Sequence, residues 1–308
     1  MVTFGSLSET STDMRKYTKE LYSKTLEAET GHSTGFKPVG FIELATDADR
    51  LEEYRRVAAL NRRHGVDVQE ISPKEVLEKF PLCNVDDVIA GFYVPDDGRV
   101  NPVDATVAFS KASRQKGVNI CEGVGVTNIL EKVVNGQRRV SGVVTANGDV
   151  IHSDYVINCA GMWARQLGEM NNVVIPNQAA EHYYLITDAM KEVDPSWPVV
   201  EDPSSYTYIR PEAGGLMLGL FEGEAASWNA GGRGIPSDFS FGEIPPDFER
   251  MQPYIEKAMR RVPATMTAGI KMFFCGPESF TPDLAPCVGE SPEIGNYFVA
   301  AGLNSIGE

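Results

Sequence analysis

Asn296-Tyr297-Phe298-Val299-Ala300-Ala301-Gly302-Leu303-Asn304-Ser305-Ile306-Gly307 is a short apolar strand running into small residues, at the point where a helix is expected to begin. A strand that delivers glycine and serine to a helix start gathers unpaired backbone N–H groups and the positive end of a helix dipole at one spot. Such a spot suits an anion. An apolar strand closed by glycine is also what many a plain strand and turn look like, so the weight of the reading falls on the rest of the chain.

Upstream, Asp154-Tyr155-Val156-Ile157-Asn158-Cys159 is a second short apolar run, closed by Ala160-Gly161 and followed by a helix from Met162 to Met170. Helices are also expected from Ser8 to Ala28, ended by Gly31, and from Thr46 to Gly65. Ser72-Pro73-Lys74-Glu75 supplies a capping box with proline at the first helical position, and Asn101-Pro102 opens a helix that runs to Gly117. Val39–Ala45, Val118–Cys121, Gly125–Val133 and Val140–Ala146 read as strands, with Asn147-Gly148 as a hairpin turn. After Val173 the texture becomes that of an antiparallel sheet, with strands at Ala180–Thr187, Tyr206–Pro211 and Leu216–Phe221. A helix from Phe248 to Arg261 and a strand at Ile270–Phe274 follow. This order fits two domains whose segments alternate along the chain.

Composition narrows the function. The 308 residues are 42% hydrophobic and 23% charged, an ordinary globular balance, and no stretch approaches the roughly 18 apolar residues of a membrane span. Acidic residues outnumber basic ones 43 to 28, a formal charge of -15 that disfavours nucleic acid and favours a small organic substrate. Cys83, Cys121, Cys159, Cys275 and Cys287 are an odd, dispersed set without a Cys-x-x-Cys pair and read as reduced intracellular thiols. His32, His64, His152 and His182 show no metal-binding spacing, so no metal site is read. The first residues carry no targeting pattern.

Three blocks, taken with Asn296–Gly307, carry a resemblance. They are Val156-Ile157-Asn158-Cys159-Ala160-Gly161-Met162-Trp163-Ala164, Tyr206-Thr207-Tyr208-Ile209-Arg210, and Gly276-Pro277-Glu278-Ser279-Phe280-Thr281-Pro282-Asp283 followed by Val288-Gly289-Glu290. In order and separation they resemble the D-amino-acid-oxidase-like family of FAD-dependent amine oxidoreductases. The branch is that of dimethylglycine dehydrogenase, sarcosine dehydrogenase and the pyruvate dehydrogenase phosphatase regulatory subunit. The resemblance implies an α/β plus α+β fold, an incomplete FAD-binding Rossmann-like domain interleaved with an antiparallel-sheet substrate domain. Residues 1–33, 99–177 and 271–308 would form the first domain, and 34–98 and 178–270 the second.

It also implies roles. Val126 would meet the adenine through its backbone, while Ala160, Gly161 and Trp163 would lie against the FAD. Gly276 begins a segment through Asp283 that its two prolines make a rigid loop near the flavin ring. Gly302, Leu303, Asn304, Ser305 and Ile306 would form the helix start that stabilises reduced flavin. Tyr206, Tyr208 and Arg210 alternate along one strand and so share a face, where arginine can pair with a carboxylate and tyrosines can cage a methylated amine. His182 matches a position near the substrate side of the flavin, and a structural role is open to it as well.

The family's opening Gly-x-Gly-x-x-Gly unit has no counterpart here, so a fragment or truncated gene is expected, with exposed strand edges, weak FAD binding and a tendency to aggregate. The expected partner is a small N-methylated amino acid, with folate handled through a region this sequence does not contain. The compartment implied is the mitochondrial matrix in a eukaryote and the cytoplasm in a bacterium. A non-catalytic regulatory subunit on the same fold is the alternative, because a shared fold does not carry a shared activity.

Overall fold

Helix boundaries in the computed structural model, which describes residues 2–229, 234–236 and 238–305, follow the capping residues. Ser8 accepts from the Ser11 amide to open α1 (Glu9–Glu20), a π turn (Leu21–Thr25) leads into α2 (Leu26–Thr30), and Gly31 at φ +64° ends the path. After β1 (Phe41–Ala45), Asp47 caps α3 (Ala48–Arg63), and β2 (Gln69–Ile71) precedes α4 (Pro73–Lys79), where Ser72 and Glu75 form the reciprocal capping box. β3 (Ala90–Val94) and α5 (Pro102–Gln115), capped by Asn101, follow.

Next come β4 (Val126–Val134), β5 (Gln137–Thr145), β6 (Val150–His152), β7 (Val156–Asn158), a 3-10 turn (Gly161–Trp163) and α6 (Ala164–Glu169). The remainder is β8 (Gln178–Thr187), β9 (Val199–Asp202), β10 (Thr207–Glu212), β11 (Gly215–Leu220), α7 (Phe248–Arg261), β12 (Ile270–Phe280), β13 (Cys287–Glu290) and β14 (Tyr297–Ala301).

Among the described residues the strands form one mixed eight-stranded sheet, β12-β8-β11-β10-β9-β1-β3-β2, and two three-stranded sheets, β13-β14-β7 and β4-β5-β6. The chain divides into two compact units. Unit 1 comprises Met1–Ile120, Tyr183–Gly223 and Pro246–Phe274; unit 2 comprises Cys121–His182, Glu224–Pro245 and Cys275–Glu308.

In unit 1 the sheet's two faces differ for a reason visible in the strand periodicity. Ile209, Leu216, Leu218 and Leu220 are fully buried on the side where α7 places Met251, Ile255 and Ala258. On the other side Phe4, Tyr54 and Phe92 pack together, Phe4 stacked on Phe92 at 5.7 Å with Tyr54 edge-on to both, in a core shared with Phe41, Val57 and Val94. Two charged features interrupt this apolar plan. Arg261, at the end of α7, donates to Asp202 (2.6 Å), to both carboxylate oxygens of Asp87 (2.7 and 3.0 Å) and to the Asn84 carbonyl (2.6 Å), while the Asp202 side chain is wholly buried. Glu43 and Glu201 stand opposite each other on the parallel pair β1–β9. Loss of solvent around both carboxyls, with Glu43 repelling Glu201, raises their pKa values to about 7 and about 8.

Several expectations change in the folded chain. Gly276–Phe280, expected as a loop, is the second half of β12, and the proline is tolerated because β12 is an edge strand. Val118–Cys121 lies outside every sheet, with Val118 and Ile120 exposed and the Val118 amide turned back to Ser113. β2, β3 and β9 have no counterpart in the sequence reading, since each is short and defined by its neighbours.

Replacing Arg261 with methionine leaves Asp202 buried without its cation, so chemical unfolding should show a loss of about 3–5 kcal/mol. Glu43 and Glu201 hold protons in the folded state that the unfolded chain releases near 4.5. Their contribution is therefore complete below about pH 4.5 and declines as pH rises through about 7 to 8. Glu201→Gln should flatten that decline and melt above the wild type at about pH 9, in thermal scans across pH.

Candidate active site

In unit 2, β7 and β14 run parallel, Val156 beside Tyr297 and Asn158 beside Val299, so their carboxyl ends open at one edge. That edge is where ligands sit in parallel α/β sheets. Asn158 ends β7 and is buried. Its Oδ1 accepts from the Ala160 amide (3.1 Å), and its Nδ2 donates to the Ala164 carbonyl (2.9 Å) and the Tyr297 hydroxyl (2.9 Å). Burial also pushes the Tyr297 phenol up, which keeps it a neutral partner. One side chain thus holds both ends of the turn that carries Ala160 and Gly161. Gly161 takes φ +53°, and a Cβ there would meet nothing within 4 Å, so the turn presents open space on its outer side.

The segment after β14 is held from β12. Asn304 Oδ1 accepts from the Thr281 amide (2.7 Å), its Nδ2 donates to the Gly302 carbonyl (2.6 Å), and its own amide donates to the Ser279 carbonyl (3.1 Å). Asn304 and Ser305 have φ of +55° and +63°. Leu303–Ser305 is therefore a left-handed turn and not the first turn of a helix, as was expected; Ile306 lies outside the described residues. Ser305 Oγ lies 3.4 Å from Nε2 of His182, a buried ring on β8. Gly276 is buried in β12, Trp163 is partly exposed on the 3-10 turn, and Val126 sits at the exposed start of β4 opposite Thr145.

Tyr206, Tyr208 and Arg210 belong to unit 1, and only two of them share a face. Tyr208 and Arg210 alternate on β10, with Tyr208 beside Glu201 on β9 and beside Gly219 on β11. The Tyr208 ring lies over Gly219, where a Cβ would come within 1.9 Å of it. Tyr206 precedes the strand at φ +55° and packs edge-on against Tyr254 of α7 with the Lys257 amine over its ring. Arg210 is ion-paired with Glu212 at 2.6 Å, and its charge lowers the pKa of Arg99, on which desolvation acts first. A carboxylate reaching Arg210 has to displace Glu212.

Asn177 had no signal in the sequence. It stands just before β8, and its Nδ2 donates to the Gly161 carbonyl and to Ser279 Oγ, both at 3.0 Å, joining the turn after β7 to β12. Spatial convergence also brings Glu9, Asp13 and His64 of unit 1 within 4.8 Å of one another, a grouping that chain spacing conceals, on a mostly exposed surface.

The chain belongs to the FAD dependent oxidoreductase family, whose sequence model matches residues 1–307. It is 36% identical to human mitochondrial sarcosine dehydrogenase over 97% of its length, covering 32% of that protein. It is 37% identical to the mouse mitochondrial pyruvate dehydrogenase phosphatase regulatory subunit over 96% of its length, covering 33% of that protein. The chain thus spans about a third of the length of the curated relatives it matches. L-proline dehydrogenase from P. horikoshii superposes with a TM-score of 0.81 at 25% identity, over 98% of this chain and 76% of that one.

FAD is the family's cofactor, and the residues present fit it. The open side of Gly161 leaves room for a bulky group, and Asn177 Oδ1 is a buried acceptor without a donor among the described residues, which a molecule rich in N–H and O–H groups can supply.

Asn158→Ala frees the Ala160 amide and the Ala164 carbonyl together. The expected result is a stability loss of about 1–3 kcal/mol and about tenfold weaker FAD binding, followed by melting temperature and by quenching of flavin fluorescence.

Proposed function

We propose that the protein carrying this chain oxidises a secondary or tertiary N-methyl amine of a small amino acid, such as sarcosine or dimethylglycine. The observation that carries this reading is the placement of His182, buried and within reach of Ser305, on the unit that also bears the Gly161 turn. FAD, when bound, supplies the acceptor for the two electrons lost by the substrate. The substrate's N-methyl carbon loses a hydride and becomes an iminium, which takes up water and releases formaldehyde and the demethylated amine. His182 offers a ring nitrogen to hold or move a proton at the amine. Within unit 1, Tyr208 has an aromatic surface and a phenol beside Arg210, a pair of groups suited to a small amino acid once Glu212 releases the guanidinium.

A second reading has support of its own, because identity to the phosphatase regulatory subunit, 37%, is as high as the 36% to the dehydrogenase. On that reading the same fold binds a protein partner. Both relatives are named as mitochondrial, which supports that compartment for a eukaryotic source. Among the described residues no helix is long and apolar enough to cross a membrane.

Anaerobic addition of sarcosine or dimethylglycine should bleach the visible flavin band of the purified protein. A bound flavin that neither amine reduces would favour the regulatory reading, and a protein that binds no flavin would end the enzymatic one. Given that bleaching, Arg210→Lys should raise KM for the amino acid about tenfold with a smaller change in kcat, since lysine cannot form the bidentate pair.

A further inference from the structure

The amide of Asn177 has one settled orientation. The Gly161 carbonyl can only accept, so the atom 3.0 Å from it is Nδ2, and the second N–H of that group is directed to Ser279 Oγ. Oδ1 therefore points away from both, and it is buried without a donor among the described residues. Asn177 is 2% exposed, so bulk water does not serve it. A buried carbonyl oxygen left in this condition costs stability unless something binds there.

The donors that line the same cleft in unit 2 are directed elsewhere. Arg165 donates to Gln178 Oε1 at 3.0 Å, Gln166 donates to the Ile235 carbonyl at 3.4 Å, and Gln178 donates to the carbonyls of Ala179 and Trp228 at 2.9 and 3.0 Å. Among the described residues no donor reaches Oδ1, and a bound ligand can supply one. Its place is set by the other half of the amide, which holds the Gly161 turn through its carbonyl and the last part of β12 through Ser279.

We infer that Asn177 Oδ1 accepts a hydrogen bond from an O–H or N–H of bound flavin, either a ribityl hydroxyl or the ring N3–H. This rests on the flavin reading of the site. It makes Asn177 a direct cofactor contact as well as the brace between Gly161 and Ser279, so loss of the side chain acts on FAD affinity through two separable routes.

The test is a cycle between a substitution and a change in the ligand. Full-chain protein stripped of flavin is titrated with FAD, with N3-methyl-FAD and with 2′,3′,4′-trideoxyribityl-FAD, in the wild type and in Asn177→Leu, with the melting temperature of each apo-protein recorded. Losing the brace weakens all three ligands alike; losing the acceptor weakens only ligands that still carry the donor. The expected result is about tenfold weaker FAD binding in Asn177→Leu beyond the loss shared by all ligands. One analogue will lack this additional loss and so identify the donor, ring N–H or ribityl hydroxyl. Equal weakening of all three, or none, overturns the inference and leaves Oδ1 to a buried water. If the leucine variant does not fold, Asn177→Ala is read in the same way. Failure of the wild type to bind FAD at all defeats the flavin reading, whereas wild-type binding without ligand discrimination defeats only the contact at Asn177.

Discussion

Unit 1 is organised around the guanidinium of Arg261. It draws the end of α7, the loop at Asn84–Asp87 and the end of β9 onto one charge, in a place where an unpaired Asp202 would be intolerable. The second carboxylate oxygen of Asp202 accepts from the Ser204 amide, which sets the 3-10 turn Pro203–Ser205 and the left-handed backbone of Tyr206. β10 begins only after that turn. A buried ion pair thus decides which tyrosine of the Tyr206–Arg210 block joins the sheet face and which one turns to α7.

Unit 2 relies on amides where unit 1 relies on charge. Asn158, Asn177 and Asn304 are all buried, and each spans segments that offer unlike backbone groups. An asparagine both donates and accepts, so it can satisfy an N–H on one side and a C=O on the other without bringing charge into the interior. Strand ends leave such groups unpaired, and here two of the three asparagines hold the turn at Gly161. Asn158 uses both its oxygen and its nitrogen. Among the described residues Asn177 uses only its nitrogen, as do the buried Asn61 and Asn171.

Membership of the FAD dependent oxidoreductase family gives these strand ends a chemical setting, and the reaction proposed for them asks little covalent work of the protein. What the chain contributes is position. In unit 1 Tyr208 depends on Gly219 for the space its ring occupies and Arg210 is held by Glu212, and in unit 2 His182 lies beside Ser305. The same features could survive in a binding protein, which is why similarity to a regulatory subunit bears on function and not on fold.

Much of the fold was legible in the residues themselves. Ser72 with Glu75, Asn101 with Pro102, and Gly31 ended or began helices where the sequence placed them, because a cap is a contact between neighbours in the chain. The apolar runs at Val156–Asn158 and Tyr297–Ala301 became strands, the second buried or half-buried and the first with Ile157 exposed, and the short motifs around them identified the family. Other features lay beyond local reading. β9 exists because β1 and β10 flank it, Gly276–Phe280 is a strand because the sheet edge is beside it, and Leu303–Ser305 turns left-handed because Thr281 and Ser279 hold Asn304. Asn177 was invisible for the same cause, since its partners are 16 and 102 positions away. The sequence by itself determined most of the helices, whose caps rest on contacts within a turn or two of chain, and it carried the motifs of the family. Only the tertiary structure decided which side chains hold the turn at Gly161 and that Asn177 Oδ1 is one of the buried oxygens without a donor among the described residues, because those depend on groups that folding alone brings within about 3 Å.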